Sequence, residues 1–410
     1  IYGQELDRKT FEPIGPHLPL INLVDSIHGW ERFGEHQDNT FLKPFIEGAW
    51  MNKQNGKYYL QYGAPGTEFS GYGDGVYVSD QPLGPFTYQK HNPFSYKPGG
   101  FARGAGHGAS FKDVYGQWWH ISTIAIGVKN NFERRNGIWP AQIDKEGILY
   151  STTAYGDYPH YIPHAGATHD STQFTGWMLL NYNKPVQVSS TLSAFTANNA
   201  VDENLKTYWS ATTGNKGEWL QTDLGKPSSI EAVQVNYADE GSELMGKYTT
   251  IYHQYQMYAS MDGKSWTMII DKSKNKTDVP HDYVVLAKPI TARFVKMVNI
   301  HMPDGKFAIA GLRVFGKANG ANPGMVKNFV PLRGDSERRN VWLKWALNPN
   351  ATGYTIYFGS DPHKLYNSVM VYSASEYYLN ALEKNQSYYF QIEAFNESGI
   401  GPRSAVMKAE

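Results

Sequence analysis

One glutamate and one histidine have sequence surroundings that suit acid–base catalysis. Glu47 lies in the string FIEGAWM, beside the aromatic residues Phe45 and Trp50. His107 follows sixty residues later, inside the glycine-flanked string AGHGAS. A lone carboxylate among apolar groups is costly to bury in its ionised form, so these surroundings favour the protonated acid. Such a group could donate a proton to a leaving oxygen as a general acid, whereas the alternative is a strand-edge glutamate that points to solvent.

Short strands and tight turns must position these residues. Asn55-Gly56 is a strong hairpin signal, and Tyr115-Gly116 and Glu146-Gly147 are weaker turn signals. The chain has 29 Tyr, 19 Phe and 11 Trp among 410 residues, with 40 Gly, which predicts an all-β protein. Hairpins punctuated by glycine and aromatic residues are typical of propeller blades. Flat aromatic rings also suit the binding of sugars.

Composition excludes several classes of partner. Lys plus Arg and Asp plus Glu are 38 each, and no basic stripe stands out, so we expect no nucleic-acid partner. No apolar run approaches about 18 residues, so we expect no membrane span. The chain has no cysteine, which excludes disulfides, thiolate metal sites and a cysteine nucleophile. The residues after Ile1 do not read as a signal peptide, so the chain begins after processing or inside a longer protein.

Composition shifts divide the chain into three β segments. Residues 1–165 carry the propeller-like hairpins, and the polar stretch 166–183 reads as a linker. A new β pattern covers 184–318, and a Gly/Asn/Pro hinge separates it from the last β segment, 324–410. These patterns predict an all-β chain with a partial, propeller-like first segment followed by two further β domains.

The first segment resembles the family 43 glycoside hydrolases, which are five-bladed propellers. Matching strings occur in the family's order, namely ELDRKTFEPIG, FIEGAWMNKQNGKYYLQYG, GVYVSDQPLGPF, GHGASFKDVYGQWWHIS and ERRNGIWPAQIDKEG. The resemblance implies that Glu47 is the general acid and that His107 helps to hold a central cation, usually calcium, through water. It also implies that Arg134 lines the sugar pocket, with Arg135 as the alternative if the register slips by one.

Three further residues are candidates for substrate binding in this segment. Arg103 precedes His107 in a glycine-rich loop and is placed to reach the sugar. Trp30 and Trp50 are candidates for subsite walls. For each tryptophan, packing within a blade is the alternative.

The chain departs from the family at the catalytic base. The family's base and a second aspartate that tunes the acid lie in the first two blades, and this chain starts near the end of the second. The carboxylates that remain in the segment lie outside the family's base motif, and they are Asp25, Glu31, Glu35, Asp38 and Asp74. We therefore expect the base to come from residues before Ile1 or from another chain.

The middle segment resembles discoidin-like jelly rolls, which include the family 32 carbohydrate-binding modules. The resemblance rests on strings such as AVDENLKTYWSA, EWLQTDLG, YQMYASMDGKSWTMI and LRVFG. It implies a structural calcium held by Asp202 and Thr207, since hard oxygen ligands suit that ion. The family's closing glutamate is replaced by Gly311. Tyr252, His253 and Tyr255 form an aromatic and polar cluster that could face a ligand or be partly buried.

The last segment resembles fibronectin type III domains. Trp345, the string GYTIYFG and the string LEKNQSYYFQIEAF carry the resemblance. Tyr388 fits the tyrosine-corner position, whose hydroxyl hydrogen-bonds back to the backbone. We expect this segment to act as a spacer without chemistry of its own.

These observations predict a secreted, periplasmic or cell-surface bacterial glycosidase that acts with inversion on polysaccharide ends or side chains. The resemblance favours α-L-arabinofuranosides or β-D-xylosides as targets, with β-galactosides behind them. It implies no organic cofactor, and calcium at the propeller axis and in the jelly roll. The alternatives are a non-catalytic glycan-binding protein with an incomplete propeller and an adhesion protein that is purely structural.

Overall fold

The computed structural model describes residues 1–39, 41–125, 127, 134–162, 173–243 and 250–410. These ranges confirm the predicted all-β fold, with a partial propeller followed by β-sandwich sheets. The helical structure within them consists of two short 3-10 turns, Gly29–Glu31 and Ala197–Ala200. None of their helices has the length and apolar character needed to cross a bilayer.

The N-terminal segment contains three antiparallel sheets. Its strands are β1 (Tyr2–Leu6), β2 (Pro13–Pro19), β3 (Glu47–Gln54), β4 (Lys57–Ala64), β5 (Gly73–Ser79), β6 (Thr87–Tyr88), β7 (Ser95–Tyr96), β8 (Arg103–Lys112), β9 (Trp118–Ala125), β10 (Arg134–Ile143) and β11 (Leu149–Ser151). β1 pairs with β2, β3 to β7 form a second sheet, and β8 to β11 form a third. The second and third sheets carry the residues predicted to do chemistry.

Turn residues set the hairpins of these sheets. Asn55 and Gly56 join β3 to β4 with φ angles of 52° and 80°, and positive φ at both positions is what a type I′ turn requires. Gly116 and Gly147 each have φ of 81° in the turns that follow β8 and β10. The three turns predicted from the sequence are confirmed.

The β8–β11 sheet has one covered face and one open face. Ser110, His120 and Trp139 lie side by side across β8, β9 and β10 and are at most 2% exposed. The opposite face carries Phe111 and Ile138, which are 37% and 52% exposed. Because successive residues of a strand point to opposite faces, the sheet packs one side on β3–β7 and leaves an apolar side open. A further blade would bury a face of this kind.

The jelly roll is built on one continuous sheet. Its strands are β12 (Met178–Leu179), β13 (Val186–Val188), β14 (Trp209–Ser210), β15 (Trp219–Tyr237), β16 (Gln254–Ser260), β17 (Thr267–Asp271), β18 (His281–His301) and β19 (Ala308–Ala318). The order is β12-β19-β15-β18-β16-β17, with β13 on β15 and β14 on β19. Bulges in β15 bend the sheet around a core that includes Trp209, Met297 and Phe307. The predicted linker 166–183 contributes β12, so the sheet begins before residue 184.

The last segment is a two-sheet sandwich. Its strands are β20 (Val330–Leu332), β21 (Val341–Lys344), β22 (Gly353–Gly359), β23 (Asn367–Tyr372), β24 (Glu376–Leu379), β25 (Tyr389–Asn396), β26 (Gly399–Ile400) and β27 (Met407–Lys408). One sheet has the order β20-β21-β24 and the other β23-β22-β25-β26, with β27 on β25. The Glu383 N–H donates to the Tyr388 hydroxyl at 3.0 Å, which confirms the predicted tie to the backbone. The fibronectin type III assignment stays a prediction.

A buried ionic cluster joins the three segments. Arg313 Nε donates to Glu203 Oε1 at 2.8 Å within the jelly roll, and Arg313 Nη1 donates to the Asp157 carbonyl at 2.6 Å. Lys97 Nζ lies 3.0 Å from Asp157 Oδ1. The Tyr372 hydroxyl of the last sandwich donates to Glu203 Oε2 at 3.1 Å. The four charged side chains are 2–4% exposed, so this cluster is part of the protein's interior.

Candidate active site

Glu47 begins β3, and its carboxylate has polar partners. The Tyr72 hydroxyl donates to Glu47 Oε1 at 2.8 Å, and His107 Nδ1 lies 3.6 Å from the same oxygen. The Glu47 side chain is 39% exposed, and the flanking Phe45 and Trp50 are 45% and 44% exposed. The expectation that apolar neighbours bury Glu47 is therefore wrong for this chain. Its carboxylate is partly exposed to solvent and lies beside the phenol of Tyr72 and the imidazole of His107.

The backbone around His107 places its ring next to Glu47. His107 has φ of 52°, which a non-glycine residue seldom adopts. Its N–H donates to Asp74 Oδ1 and the Gly108 N–H donates to Asp74 Oδ2, both at 2.8 Å. Gly48, with φ of 68°, lies against the ring, since a Cβ there would be 3.0 Å from it. The glycines of FIEGAWM and AGHGAS thus let the two strings approach closely.

Asp74 fixes the backbone around His107 from the interior of the segment, and the sequence did not reveal that role. Its Oδ2 lies 2.8 Å from His120 Nε2, and His120 Nδ1 lies 3.0 Å from Ser110 Oγ. Burial raises the pKa of Asp74, while the hydrogen bond and charge of His120 oppose that rise. Asp74 is 1% exposed and cannot reach a substrate water. The available signal was a carboxylate between two glycines in an otherwise apolar strand, GDGVYVS.

Arg134 lies near the pair formed by Glu47 and Tyr72. It begins β10 opposite Ala125 of β9. Burial raises the pKa of Tyr72 and its hydrogen bond to Glu47 adds to that rise, whereas the positive charge of Arg134 lowers it. The charge of Arg134 therefore acts on the phenol that donates to Glu47. The alternative residue, Arg135, donates from Nη1 to the Arg134 carbonyl at 3.1 Å.

Arg103 faces a different part of the molecule. It pairs with Ala125 from the β8 side, its Nε donates to the Gly100 carbonyl at 3.0 Å, and its Nη1 is 4.0 Å from Glu35 Oε1. It lines a cavity that residues of the jelly roll and the last sandwich also line. A role for Arg103 in binding substrate next to Glu47 stays a prediction.

The two candidate tryptophans occupy different environments. Trp30 is 0% exposed and its Nε1 donates to the Tyr88 hydroxyl at 3.0 Å, so it belongs to the core. The prediction that Trp30 forms a subsite wall is therefore wrong, because its indole has no surface to offer a sugar. Trp50 is 44% exposed, and its Nε1 donates to the Ser110 carbonyl at 3.0 Å. Trp50 keeps an accessible ring on the strand that carries Glu47.

The predicted metal ligands do not assemble a complete site. Among the described residues, no group of three or more His, Asp or Glu side chains could hold an ion. In the jelly roll the Thr207 hydroxyl donates to Asp202 Oδ2 at 2.6 Å, and the Asn204 N–H donates to Asp202 Oδ1 at 2.9 Å. A Cβ at Gly311 would lie 2.5 Å from the Phe101 ring, so a closing glutamate has no room there. Calcium takes six to eight oxygen ligands, so a site at Asp202 and Thr207 would also need backbone oxygens, and calcium there stays a prediction.

Family models match the two segments for which the sequence suggested them. The model described as glycosyl hydrolases family 43 matches residues 1–149, and the F5/8 type C domain model matches residues 185–311. The N-terminal segment therefore belongs to glycosyl hydrolase family 43. The middle segment is a discoidin-like F5/8 type C domain, which confirms both resemblances.

Individual relatives match small parts of the chain. A β-xylosidase of Xylanibacter ruminicola and a xylosidase/arabinosidase of Bacteroides ovatus are each 49% identical over 45 residues, which is 11% of this chain and 13% of theirs. A solved glycoside hydrolase covers 76% of this chain and 65% of its own, with 17% identity and a TM-score of 0.38. A family 32 module of a Clostridium perfringens enzyme covers 33% of this chain and 94% of its own, with 22% identity and a TM-score of 0.27.

Proposed function

We propose that the chain is part of an inverting glycoside hydrolase in which Glu47 is the general acid. The observation that carries the proposal is the half-open Glu47 carboxylate, bonded by Tyr72 and placed 3.6 Å from His107, in a segment that matches family 43. α-L-arabinofuranosides and β-D-xylosides are the proposed substrates, with β-galactosides behind them. The names of the two short-matching relatives support that choice.

The hydrogen bond from Tyr72 supports different tasks for the two carboxyl oxygens of Glu47. Because the Tyr72 hydroxyl donates to Oε1, that oxygen acts as an acceptor, and the transferable proton belongs on Oε2. In the proposed reaction Oε2 gives its proton to the leaving glycosidic oxygen while a water attacks the anomeric carbon from the opposite face. Arg134, which influences Tyr72, would orient sugar hydroxyls near the acid.

The proposed base lies outside this sequence. Asp74 is locked onto two backbone N–H groups and His120, so it supports the site and does not activate water. The open apolar face of the β8–β11 sheet, which carries Phe111 and Ile138, is where a further blade could pack and bring the base. The accessory domains would keep the enzyme on its polymer, which raises the local substrate concentration. We propose a secreted, periplasmic or cell-surface location.

The test compares leaving groups in Glu47→Gln. The full-length protein is assayed on the arabinofuranosides, xylosides and galactosides of 4-nitrophenol and of 2,4-dinitrophenol. A general acid matters most where the leaving oxygen needs a proton, so we expect kcat/KM to fall roughly 10²- to 10⁴-fold on substrates with poor leaving groups. The loss should be much smaller with 2,4-dinitrophenol.

Glu376→Gln, at an exposed carboxylate of the last sandwich, is the matched control and should keep full activity. Equal losses on both classes of leaving group would contradict the acid role. No turnover by the parent protein, together with polysaccharide binding, would favour the second candidate, a non-catalytic glycan-binding protein. The observation behind that candidate is the lack of a family base motif in the segment.

A further inference from the structure

A cavity of about 310 Å³ lies where the three segments meet. Glu35 and Arg103 of the propeller segment, Asp202 of the jelly roll, and Tyr378 and Asn380 of the last sandwich line it, and we call it the three-domain cavity. Small-molecule sites have volumes of about 300–1,000 Å³. The volume is also much larger than the space that one buried water molecule needs.

Contacts between the segments hold the walls of the cavity in place. Lys206 Nζ of the jelly roll lies 3.0 Å from Glu35 Oε1 of the propeller segment. Asn380 Nδ2 of the last sandwich donates to the His36 carbonyl at 2.7 Å. The Arg313 cluster described above lies beside it, and its Glu203 also lines the cavity. The three-domain cavity is therefore formed before any ligand arrives, which reduces the cost of binding.

Polar groups in the wall retain capacity for hydrogen bonds. Asn380 is 3% exposed, and its Oδ1 has no hydrogen-bond partner within the ranges that the structure describes. That oxygen is itself almost fully buried, so a ligand hydroxyl reaches it only if the Asn380 amide shifts toward the cavity. Arg103 Nη1 is 4.0 Å from Glu35 Oε1, beyond hydrogen-bond distance, and can donate to a ligand.

The chemistry of the wall suits a neutral polyhydroxylated ligand. Glu35 pairs with Lys206, and Glu203 pairs with Arg313. The charges of Asp202 and Arg103 balance, so the cavity has little net charge to select an ion. The carboxylates and the Asn380 amide oxygen accept hydrogen bonds, and Arg103 donates them, so the wall can pair with hydroxyl groups in both ways. Tyr378 is 52% exposed and offers an aromatic face for apolar C–H groups. Sugars combine both kinds of surface.

We propose that the three-domain cavity binds about one or two sugar units of a neutral oligosaccharide, at a site separate from Glu47. The site needs residues from all three segments, so none of them would form it alone. It does not depend on hydrolysis. A protein without turnover would still bind the sugar there.

The test measures binding to the full chain carrying Glu47→Gln, so that no ligand is consumed. Xylotetraose, linear arabinotetraose and β-1,4-galactotetraose are titrated by calorimetry. Tyr378→Ala removes the exposed aromatic face, and an aromatic contact of about 0.5–1.5 kcal/mol corresponds to a roughly 2- to 12-fold rise in Kd. Asp202→Asn keeps the shape and removes the charged acceptor, and it should also raise Kd.

Tyr283→Ala is the matched control, because Tyr283 is 45% exposed on the jelly roll and lies outside the cavity wall. Thermal unfolding verifies that each variant folds, and Asp202→Asn carries the test if Tyr378→Ala does not fold. A rise in Kd confined to the two cavity variants supports the proposal. The same Kd in all variants, or no binding of any probe by the parent, overturns it. Hydrolysis assays on Glu47 have no bearing on either outcome.

Discussion

Two regions of the molecule carry residues predicted to meet a ligand or an ion, and they differ in how their polar atoms are satisfied. In the propeller segment, Glu47 and His107 are 39% and 47% exposed. In the jelly roll, Asp202 accepts hydrogen bonds from Thr207 and a backbone N–H, and the neighbouring Glu203 is bound by a buried arginine. The first region keeps functional groups open to a substrate, whereas the second uses similar residues mainly to join domains.

The difference teaches that residue type alone does not define a site. Asp74 takes up the backbone N–H groups of His107 and Gly108, and this leaves the His107 imidazole and the Glu47 carboxylate at the surface. Around Asp202 a hydroxyl and a backbone N–H donate to the carboxylate itself, which leaves only part of its hydrogen-bonding capacity for a ligand. A carboxylate is therefore available for chemistry when another group satisfies the local backbone.

Arg313→Met should produce the largest loss of stability, because it breaks the buried cluster of the jelly roll. Arg313 is 2% exposed, and its removal leaves Glu203 and Asp157 without a cation that both contact. Breaking one partner of a buried ion pair costs about 3–5 kcal/mol. Urea unfolding measures this loss, and limited proteolysis should show the segments separating earlier than in the parent.

Arg293→Met is the matched control in the same domain. Arg293 also makes two hydrogen bonds to one carboxylate, that of Asp223, but it is 41% exposed. Exposed pairs contribute about 0–1 kcal/mol, so this variant should stay close to the parent. Equal effects of the two substitutions would break the proposed contrast between a buried junction and an exposed pair.

Local patterns in the sequence predicted the parts of the fold that depend on local geometry. The Asn55-Gly56 hairpin follows from turn chemistry, and the Tyr388 hydroxyl contact follows from a position a few residues away along the chain. The proximity of Glu47 and His107 came from the resemblance, and the register that produces it depends on Gly48. Each of these features involves only a few residues, and packing against distant parts of the chain has little influence on it.

Long-range packing explains what the sequence did not predict. Trp30 was a candidate for a sugar-binding wall, but it is buried by strands far along the chain and bonded to Tyr88. Asp74 had no evident role in the sequence, because its role depends on accepting hydrogen bonds from two N–H groups that lie 33 and 34 residues away along the chain. The junction around Arg313 joins all three segments. Such contacts leave no periodic trace in any one strand.

Tyr72→Phe tests the surroundings of Glu47 in the propeller segment, and we expect an effect on activity of intermediate size. The substitution removes the hydroxyl that donates to Glu47 Oε1 and keeps the ring in place. A hydrogen bond to a charged group contributes about 1.5–3 kcal/mol, so we expect kcat/KM to fall roughly 10- to 150-fold. Stability should change little, because Glu47 is partly exposed to water. Steady-state kinetics and a pH profile of the full-length protein measure the effect.

Tyr58→Phe, near the start of β4, controls for the loss of a phenol and should keep parental kinetics. An unchanged kcat/KM in Tyr72→Phe would show that the hydrogen bond from Tyr72 does not assist Glu47 in catalysis. A loss confined to KM would assign the hydroxyl to substrate binding rather than to the acid.

The smallest change in stability should come from calcium and from Asp202→Asn in the jelly roll. The Asp202 carboxylate already accepts hydrogen bonds from within its own loop, so we expect a chelator to leave the unfolding temperature unchanged. Asp202→Asn keeps an oxygen that can accept from Thr207 or the Asn204 N–H, and we expect a loss below about 1 kcal/mol. Calorimetric unfolding with EDTA or with added calcium measures both effects. Stabilisation by calcium that Asp202→Asn abolishes would show that the loop rearranges to bind the ion, and the contrast between the two regions would then fail.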